Sequence, residues 1–443
     1  MISEEVKKTR ALETSVKEGS AANASVSFGD NYITPAILAL NGNAAHVGIM
    51  QALVGLISPI SQLFGSKLIE KTSRKKIVLS CASFQVLFWI MIASMPFVAY
   101  YTSKNSFSLY AIMVLYCLVT VAGGLLHPSW FSWMGSLVKE KERGKYFSRR
   151  SAIVGFVGLT VVILSSIMLD SFKNAQLLLV GFGVLFMLAA FFRIISDIYI
   201  ARQYEPKELV KEKNEISWKK YLSSKEKIGR FAIGMAAFNF ALMIASPFFA
   251  VYLLEERGMS YLIYTIVIMS GAGWNLLFLP IIGRISDKYG NSLLLKIAGV
   301  LFAISPPLWI FLSSPWAIIF IPQLLNGLAN AALAIGFTNY TYSVSTPEKR
   351  GSAVAHINAL SGVGVLLGSL MGGIILQYWR AEASIFLVVF LLAAICRGLV
   401  AIMFLSKIKS ENKTEVPSLK FDIVHPVRTL NHDLHSIKHL VAK

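Results

Sequence analysis

Charged residues are scarce in this sequence. They make up 15% of its 443 residues, whereas hydrophobic residues make up 55%. Soluble domains usually contain about a quarter charged residues, so the composition excludes an ordinary soluble protein and indicates a membrane protein. Acidic residues are the scarcer charge: 24 Asp and Glu stand against 42 Lys and Arg, a formal net charge of +18.

Cysteine is almost absent as well. The three cysteines, Cys81, Cys117 and Cys396, all fall inside long apolar segments. Their number and spacing exclude a disulfide framework and offer no metal-ligand pattern, so we interpret them as small buried side chains and expect neither a metal site nor a cofactor. Residues 1–18 are polar, which leads us to expect no cleavable signal peptide.

Long segments without charge fill much of the chain. A transmembrane helix needs about 20 apolar residues, and the uncharged segments 77–103, 105–138, 231–254, 258–283, 297–347 and 352–379 are each long enough for one or two. We predict an all-α integral membrane protein with twelve transmembrane helices. They begin near Ser20, Ala45, Lys76, Ser106, Ser151, Ala175, Gly229, Ser260, Ser292, Pro315, Gly351 and Ala383.

The longest polar interruption divides these helices six and six. We predict a cytoplasmic N-terminal tail (1–18), a six-helix bundle (19–204), a cytoplasmic linker (205–227), a second six-helix bundle (228–407) and a cytoplasmic C-terminal tail (408–443). Most lysines and arginines fall in the tails and in the loops of one side. Cytoplasmic loops collect basic residues, so the expected location is the cell membrane with both termini inside. The basic charge then reflects topology, and no nucleic-acid partner is expected.

The two halves repeat one another. The sequence "SKLIEKTSRKK" (66–76) follows the second predicted helix, where "GRISDKYGNS" (283–292) follows the eighth. "KERGKYF" after helix 4 matches "EKRGSAV" after helix 10, which pairs Arg143 with Arg350. "LAAFFR" ending at Arg193 matches "LAAICR" ending at Arg397, and "ITP" at Pro35 matches "ASP" at Pro247. Four matches at equivalent places indicate an internal duplication.

This duplicated pattern resembles the major facilitator superfamily, whose loop after the second helix of each half reads roughly Gly-x-Leu-x-Asp-Arg-x-Gly-Arg-Lys. The second copy keeps Gly283, Asp287, Lys288 and Gly290 but has Asn291 and Ser292 in place of the basic pair. The first copy keeps Leu68, Lys71, Arg74 and Lys75, with Glu70 for the aspartate and serines for the glycines. The resemblance implies two pseudo-symmetric bundles and transport by alternating access around a central cavity.

The resemblance also implies a set of gating residues. Glu70 would face the segment beginning at Arg350, and Asp287 the segment beginning at Tyr146, so that these contacts close the cytoplasmic side. Gly283 would allow close helix packing and Gly290 a tight reversal. The alternative is that these loops only anchor helix ends. The gating candidates are Glu70, Arg74, Arg143, Arg193, Gly283, Asp287, Gly290, Glu348, Arg350 and Arg397.

Arg193 and Arg397 leave alternatives open, because they lie within predicted helices. Each could extend to the membrane interface, or form an ion pair with the loop acids Glu142 or Glu348; Asp197 is a further partner for Arg193.

Asp30 is the acid that the segmentation places deep inside a helix. An ionised group there costs at least about 2.5 kcal/mol, so it needs a partner or a wet cavity. Polar residues at helical spacing on several helices are expected to face such a cavity. The candidates for the solute or proton path are Asn23, Asp30, Asn31, Gln51, Gln62, His127, Trp130, Asn239, Trp274, Asn275, Gln323, Asn326, Asn330 and His356. For the histidines and Trp274, simple packing is the alternative; for Asp30, it is a helix 1 that starts later.

The sequence therefore favours a secondary active transporter of a small solute, with protons as the coupling ion and a monomer as the working unit. Multidrug efflux, facilitated transport and a receptor or scaffold on the same fold remain alternatives. We expect no enzyme, because the chain has no His-Glu-x-x-His or Gly-x-Ser-x-Gly motif, and no ATP-driven pump, because it has no Gly-x-x-x-x-Gly-Lys-Ser/Thr loop.

Overall fold

Helices make up the computed structural model of the protein, which describes residues 4–69, 71–138, 143–206, 227–343, 350–378 and 385–403. No strand occurs in these ranges. Residues 207–226 of the predicted linker, the C-terminal tail, Glu70, Glu142 and Glu348 lie outside the described residues, and for Arg143, Asp287 and Arg350 only the backbone is described.

The described residues of the first half form seven α-helices. They are α1 (Glu4–Phe28), α2 (Ile33–Ala39), α3 (Ala44–Leu68), α4 (Arg74–Thr102), α5 (Asn105–Leu137), α6 (Arg143–Asn174) and α7 (Leu178–Arg202), with a single 3₁₀ turn, Asp30–Tyr32, between α1 and α2. The break between α1 and α2 coincides with Gly29 and with Pro35, which has no N–H to continue the helical ladder.

The prediction that helix 1 begins near Ser20 was wrong. The helix begins at Glu4, and its early turns already bury Ala11, Ser15 and Glu18 against the bundle. The Tyr146 hydroxyl donates to the Leu12 carbonyl at 3.0 Å, which ties this early part of α1 to α6. Hydropathy alone did not indicate a helix there, because small and polar residues cover the face that packs.

Eight further α-helices lie in the described part of the second half. They are α8 (Lys227–Met243), α9 (Phe249–Val251), α10 (Tyr261–Tyr289), α11 (Asn291–Phe311), α12 (Pro315–Phe320), α13 (Pro322–Ser343), α14 (Arg350–Tyr378) and α15 (Ile385–Met403). A 3₁₀ turn, Ser246–Phe248, and a π turn, Tyr252–Glu256, flank α9. The interruption after α8 carries Pro247, whereas Pro35, its counterpart in the repeat, is the third residue of α2, just after the interruption that follows α1.

Eleven helical stretches in the described ranges are long and apolar enough to cross a membrane. The α1 helix is not among them because it is too polar, so the number of twelve spans stays a prediction. We call the end of the molecule where α3 ends and α4 begins the basic end, after Lys67, Arg74 and Lys75, and the other the opposite end.

The two bundles meet along α3 and α14, where backbones approach closely. A Cβ on Gly48 would lie 2.7 Å from the Ser369 carbonyl oxygen, and one on Gly362 would lie 2.6 Å from the Gly55 carbonyl oxygen. Small residues are what permits such packing between membrane helices.

A second contact between the bundles lies at the opposite end. The Asp170 carboxylate on α6 accepts hydrogen bonds from the backbone N–H groups of Tyr261 (2.8 Å) and Leu262 (2.9 Å), the first residues of α10. The Lys173 ammonium lies 5.7 Å from the centre of the Tyr261 ring. A carboxylate from one half therefore satisfies free N–H groups at a helix start of the other half.

The charged turn after α10 agrees with expectation at one glycine and not at the other. Gly290 has a φ of +85° and joins α10 to α11 in a tight reversal, as predicted. A Cβ on Gly283 would meet open space among the described residues, so the expectation of close helix packing at Gly283 was wrong.

Candidate functional site

A cavity of about 310 Å³ with charged groups in a largely apolar wall lies inside the first bundle. Residues of α1, α4, α5, α6 and α7, together with the turn that follows α1, form its wall. Its polar lining residues include Glu18, Asn23, Asp30, Gln85, Arg150 and Arg193, and two tryptophans, Trp89 and Trp130, form part of the apolar wall. Charged groups of both signs therefore line one cavity together with aromatic rings.

Glu18 is the centre of a buried ionic cluster on the basic side of this cavity. Only 4% of Glu18 is exposed. Its Oε2 atom accepts a hydrogen bond from Arg150 Nη2 at 3.3 Å, and its Oε1 atom accepts one from the Ser196 hydroxyl at 3.2 Å. Ser196 in turn accepts from Arg193 Nη1 at 3.2 Å. Both carboxylate oxygens of Glu18 are therefore engaged within the protein.

Arg150 is held firmly in this cluster. Its Nε atom donates to the carbonyl oxygen of Ser15 at 3.3 Å and to the Ser15 hydroxyl at 3.2 Å. Its guanidinium carbon lies 4.6 Å from the centre of the Trp130 ring, a distance typical of a cation–π contact. The ion pair of Arg150 with Glu18 is thus braced by α1 on one side and by α5 on the other.

Sequence reasoning missed Glu18, Arg150 and Gln85. Glu18 was placed in the tail because the predicted helix started two residues later, and Arg150 was placed in a loop. One signal could have found Glu18: the run of small residues from Gly19 to Ser25 is typical of a tightly packed membrane helix and would have extended the prediction backwards.

Asp30 lines the same cavity, at the break between α1 and α2. Its Oδ1 atom accepts a hydrogen bond of 2.8 Å from the Tyr116 hydroxyl on α5. The Trp89 ring packs beside Tyr116, with 6.1 Å between ring centres, and also covers Gly29, where a Cβ would collide with it. Asp30 is therefore fixed by one hydroxyl under an aromatic cover.

Arg193 faces both acids but pairs directly with neither of them. It is 8% exposed and lies close enough for electrostatic interaction with Glu18, Asp30 and Asp197. Within the described residues no ion pair joins Arg193 to an acid, and its Nε atom has no hydrogen-bond partner. Asp197 accepts instead from the Ser83 hydroxyl at 2.6 Å.

Of the other candidates on the first half, some line the cavity and some do not. Asn23 and Trp130 line the cavity, and the Asn23 amide donates to the Val154 carbonyl at 2.8 Å. Asn31, Gln51 and Gln62 are half-buried and are not among the lining residues. His127 is exposed and packs on the Phe131 ring, with 5.3 Å between ring centres.

The candidates on the second half are satisfied locally. The Gln323 amide donates to the carbonyl oxygens of Val267 and Ile268, at 2.5 and 3.3 Å, and Asn326 donates to Gln323 Oε1 at 3.3 Å. Trp274 Nε1 donates to the Ile319 carbonyl at 2.9 Å.

Of the remaining candidates of the second half, two form hydrogen bonds within their own helix. Asn239 and Asn330 each donate to the carbonyl oxygen four residues earlier in their own helix, at 2.9 and 2.8 Å, whereas Asn275 is half-buried and His356 buried. The structure does not bring these side chains into the cavity of the first bundle.

Two of the gating candidates have partners within their own bundle. Arg74 forms an ion pair with Glu205 at 3.4 Å and donates to the carbonyl oxygens of Ser132 (3.3 Å) and Pro206 (3.1 Å). Arg397 is 2% exposed and donates to the carbonyl oxygens of Ala241 (3.3 Å), Phe302 (3.0 Å) and Leu242 (2.8 Å), and to the Ser246 hydroxyl (3.2 Å). Because Arg193 and Arg397 are both buried, the alternative in which they extend to the interface was wrong.

Comparison with known proteins gives a family and several relatives. The family model described as Major Facilitator Superfamily matches residues 20–277 and 233–439. Among curated proteins, an "Uncharacterized MFS-type transporter YfiU" of Bacillus subtilis is 28% identical over 109 residues, 25% of this chain and 21% of the relative. The "Tetracycline resistance protein, class H" of Pasteurella multocida is 26% identical over 112 residues, 25% of this chain and 28% of the relative. The matched segments thus span less than a third of these relatives.

Solved transporter structures share the fold over nearly the whole chain. A bacterial homologue of the iron transporter ferroportin, in an inward-facing state, has a TM-score of 0.69 at 15% identity and covers 90% of this chain and 99% of its own. The nucleoside transporter NupG has a TM-score of 0.64 at 14% identity and covers 91% and 99% of the two chains. At such low identity the likeness establishes the fold alone.

Proposed function

Because the chain belongs to the Major Facilitator Superfamily, we propose that it is a secondary active transporter that moves a small solute by alternating access and couples this movement to protons. It is a multi-pass membrane protein, for which we propose the cell membrane with both termini in the cytoplasm. The family and the structural neighbours are transporters; we propose that this chain is likewise a carrier and not an enzyme, and that it works as a monomer.

The observation that supports this proposal is the position of Asp30. Asp30 lies in the cavity wall, at the break that follows α1, and its side chain accepts a hydrogen bond from the Tyr116 hydroxyl. In surroundings of low polarity, a carboxylate with few hydrogen bonds and no direct ion pair is costly when ionised and much less costly when protonated. A cavity that opens alternately to the two sides of the membrane would load and release a proton at such a group.

The contacts between the bundles support alternating access. Asp170 on α6 binds the start of α10 at the opposite end, and the glycine contacts between α3 and α14 lie between that end and the middle of both helices. In the proposed cycle, the contact of Asp170 breaks when the opposite end opens, while the bundles rock about the seam of α3 and α14.

Proteoliposomes that enclose a pH-sensitive dye test the coupling. We expect addition of a transported solute, found by screening amino acids, organic acids, nucleosides, sugars and tetracycline, to change the internal pH in wild-type vesicles. Asp30→Asn removes the titrating group and is expected to abolish this proton movement.

Asp197→Asn is the matched control, because Asp197 lies on α7 outside the cavity lining and should keep proton movement close to wild type. Proton movement that survives in Asp30→Asn, or is lost equally in both variants, would refute the role of Asp30. Vesicles in which none of the screened solutes moves would refute the carrier itself and leave a receptor or scaffold as the function.

Drug efflux is a second candidate function. It is favoured by two relatives, the tetracycline resistance protein and "Multidrug resistance protein 1" of Bacillus subtilis, which is 27% identical over 117 residues, 26% of this chain and 30% of that protein. Cells that express this chain would then accumulate less tetracycline than cells that express Asp30→Asn. Equal accumulation would exclude efflux of that drug.

A further inference from the structure

Arg193 has an unused hydrogen-bonding capacity that the ionic cluster does not explain. A buried polar atom without a partner costs about 1–3 kcal/mol, and proteins rarely leave one in place. The Nε atom of Arg193 has no partner among the described residues, although the side chain is more than nine-tenths buried and lines the cavity. An acceptor that enters the cavity would remove this cost.

The charges around the cavity indicate which kind of acceptor it is. Glu18 is already neutralised, because Arg150 pairs with one of its oxygens and Ser196 donates to the other. Asp30 receives a hydrogen bond only from Tyr116 among the side chains of the described residues. When Asp30 is protonated, the groups that line the cavity therefore keep one positive charge in excess, that of Arg193. The other acid near Arg193, Asp197, lies outside the lining and accepts a hydrogen bond from Ser83.

We propose that the transported solute carries an oxyanion group, a carboxylate or a phosphate, that binds Arg193 inside the cavity and travels together with a proton on Asp30. The proposal rests on the proposed function and specifies its substrate class. An arginine presents its donors in a fixed fork that matches carboxylate and phosphate oxygens. The rings of Trp89 and Trp130 would cover the apolar part of the solute.

The sign of coupling follows from the sign of the solute charge. An anion beside Asp30 raises the cost of an ionised carboxylate, so anion binding favours the protonated form, and by linkage protonation favours anion binding to the same degree. Proton and solute would then move in the same direction. A cationic solute would compete with the proton at Asp30 and would instead require exchange.

The groups around Asp30 are consistent with this linkage. Tyr116 on α5 donates to Asp30, Arg193 on α7 acts on it electrostatically, and Glu18 and Arg150 already form an ion pair. The α4 helix contributes the uncharged Gln85 and Trp89 to the lining and a thiol, Cys81, close to Arg193. Among the charged groups of the described cavity wall, Asp30 is thus the one that a proton can switch without breaking an ion pair.

Binding of matched compounds to the purified full-length protein tests the proposal. The probes are 3-phenylpropionate, its uncharged amide, phenethylamine and phenyl phosphate, measured by quenching of tryptophan fluorescence at a mildly acidic and a mildly alkaline pH. We expect at least one of the two anions to bind roughly ten- to a hundredfold more tightly than the amide, the size of a charge-assisted hydrogen bond. Which anion binds more tightly distinguishes a carboxylate from a phosphate solute.

The variants separate charge from geometry. Arg193→Gln should remove the preference for the anion, and Arg193→Lys, which keeps the charge and loses Nε, should retain part of it. Arg230→Gln is the matched control, since Arg230 is exposed near the start of α8 and is not among the lining residues, and it should keep the preference. The wild-type protein should bind the anion more tightly at acidic pH, and Asp30→Asn should remove this pH dependence.

The proposal fails if the amide or the amine binds as tightly as both anions, if no probe binds, or if Arg193→Gln keeps the preference for the anion. Binding that follows the proposal without proton movement in vesicles would refute the proposed transport but not the anion site. Proton movement driven by neutral or cationic solutes, unaffected by Arg193→Gln, would refute the anion site but not the proposed transport.

Discussion

The two halves place an arginine at the same point of the repeat and use it differently. Arg397 in the second half has four acceptors, and three of them are backbone carbonyl oxygens. Arg193 in the first half donates to the Ser196 hydroxyl. Its Nε atom, next to the cavity, has no hydrogen-bond partner among the described residues. Duplication thus preserved the position of the cation, while the surrounding acceptors determine whether it stabilises the fold or stays available to a ligand.

The acceptors of Arg397 arise from a broken helix. The α8 helix ends at Met243, and Pro247 has no N–H for the carbonyl oxygen of Met243. Carbonyl oxygens at the end of a helix need partners from elsewhere, and Arg397 supplies them to Ala241 and Leu242. In the first half the helix breaks earlier relative to the matching proline, after Phe28. There α1 carries Glu18 and the turn that follows it carries Asp30, so Arg193 faces carboxylates instead.

The largest expected effect is on stability. Arg397→Met should lower the free energy of unfolding by roughly 3–5 kcal/mol, because each buried group left without a partner costs about 1–3 kcal/mol. Arg193→Met loses one neutral acceptor and should cost about 1 kcal/mol. Thermal unfolding in detergent measures both. Equal losses of unfolding free energy in the two variants would contradict the proposed difference between the two arginines.

Removal of the buried carboxylate should have the next largest effect. Glu18→Gln leaves the Arg150 guanidinium buried without its counter-charge, and removal of one partner of a buried ion pair typically costs about 3 kcal/mol. Glu4→Gln, at an exposed position of the same helix, is the control and should leave the unfolding temperature unchanged. If Glu18→Gln unfolds at the wild-type temperature, the ionic cluster is not what holds α1 to α6.

The smallest effect concerns the seam between the halves. Asp170→Asn keeps the size of the side chain but removes the charge that caps α10, which is worth about 1 kcal/mol. We expect the population to shift toward a form that is open at the opposite end. Spin labels at the exposed Ser171 and Glu256, in a variant without the native cysteines, would report this shift as a longer distance.

Asn174→Asp is the matched control for this experiment, because it adds an acid at an exposed position of α6 without touching the cap. An unchanged distance distribution in Asp170→Asn would show that the carboxylate does not hold the two halves together.

The sequence predicted most of the fold because apolar length sets the helices. The second helix was expected from Ala45 and begins at Ala44, and the eleventh was expected from Gly351 and begins at Arg350. The first helix was placed wrongly because its packed face uses alanine and serine, which hydropathy does not distinguish from a polar tail. The family was also identified from the sequence, and the match of the family model confirms it.

The site was harder to predict than the fold. Asp30, Asn23 and Trp130 were named as candidates and line the cavity, whereas Glu18 and Arg150 were missed. Their role depends on which helix lies opposite, since Glu18 meets residues more than a hundred positions away in the chain. Periodicity along one helix gives no information about such partners.

The glycine contacts between α3 and α14 have a consequence for the proposed rocking of the two bundles. Backbone lies against backbone at Gly48 and at Gly362, while the Val365 side chain of α14 fills the space beside Gly55. Where backbone and small residues meet, two helices can tilt against each other with few changes of side-chain rotamer. The height of the kinetic barrier should then be set at the rims of the two bundles, where polar contacts such as that of Asp170 have to be broken.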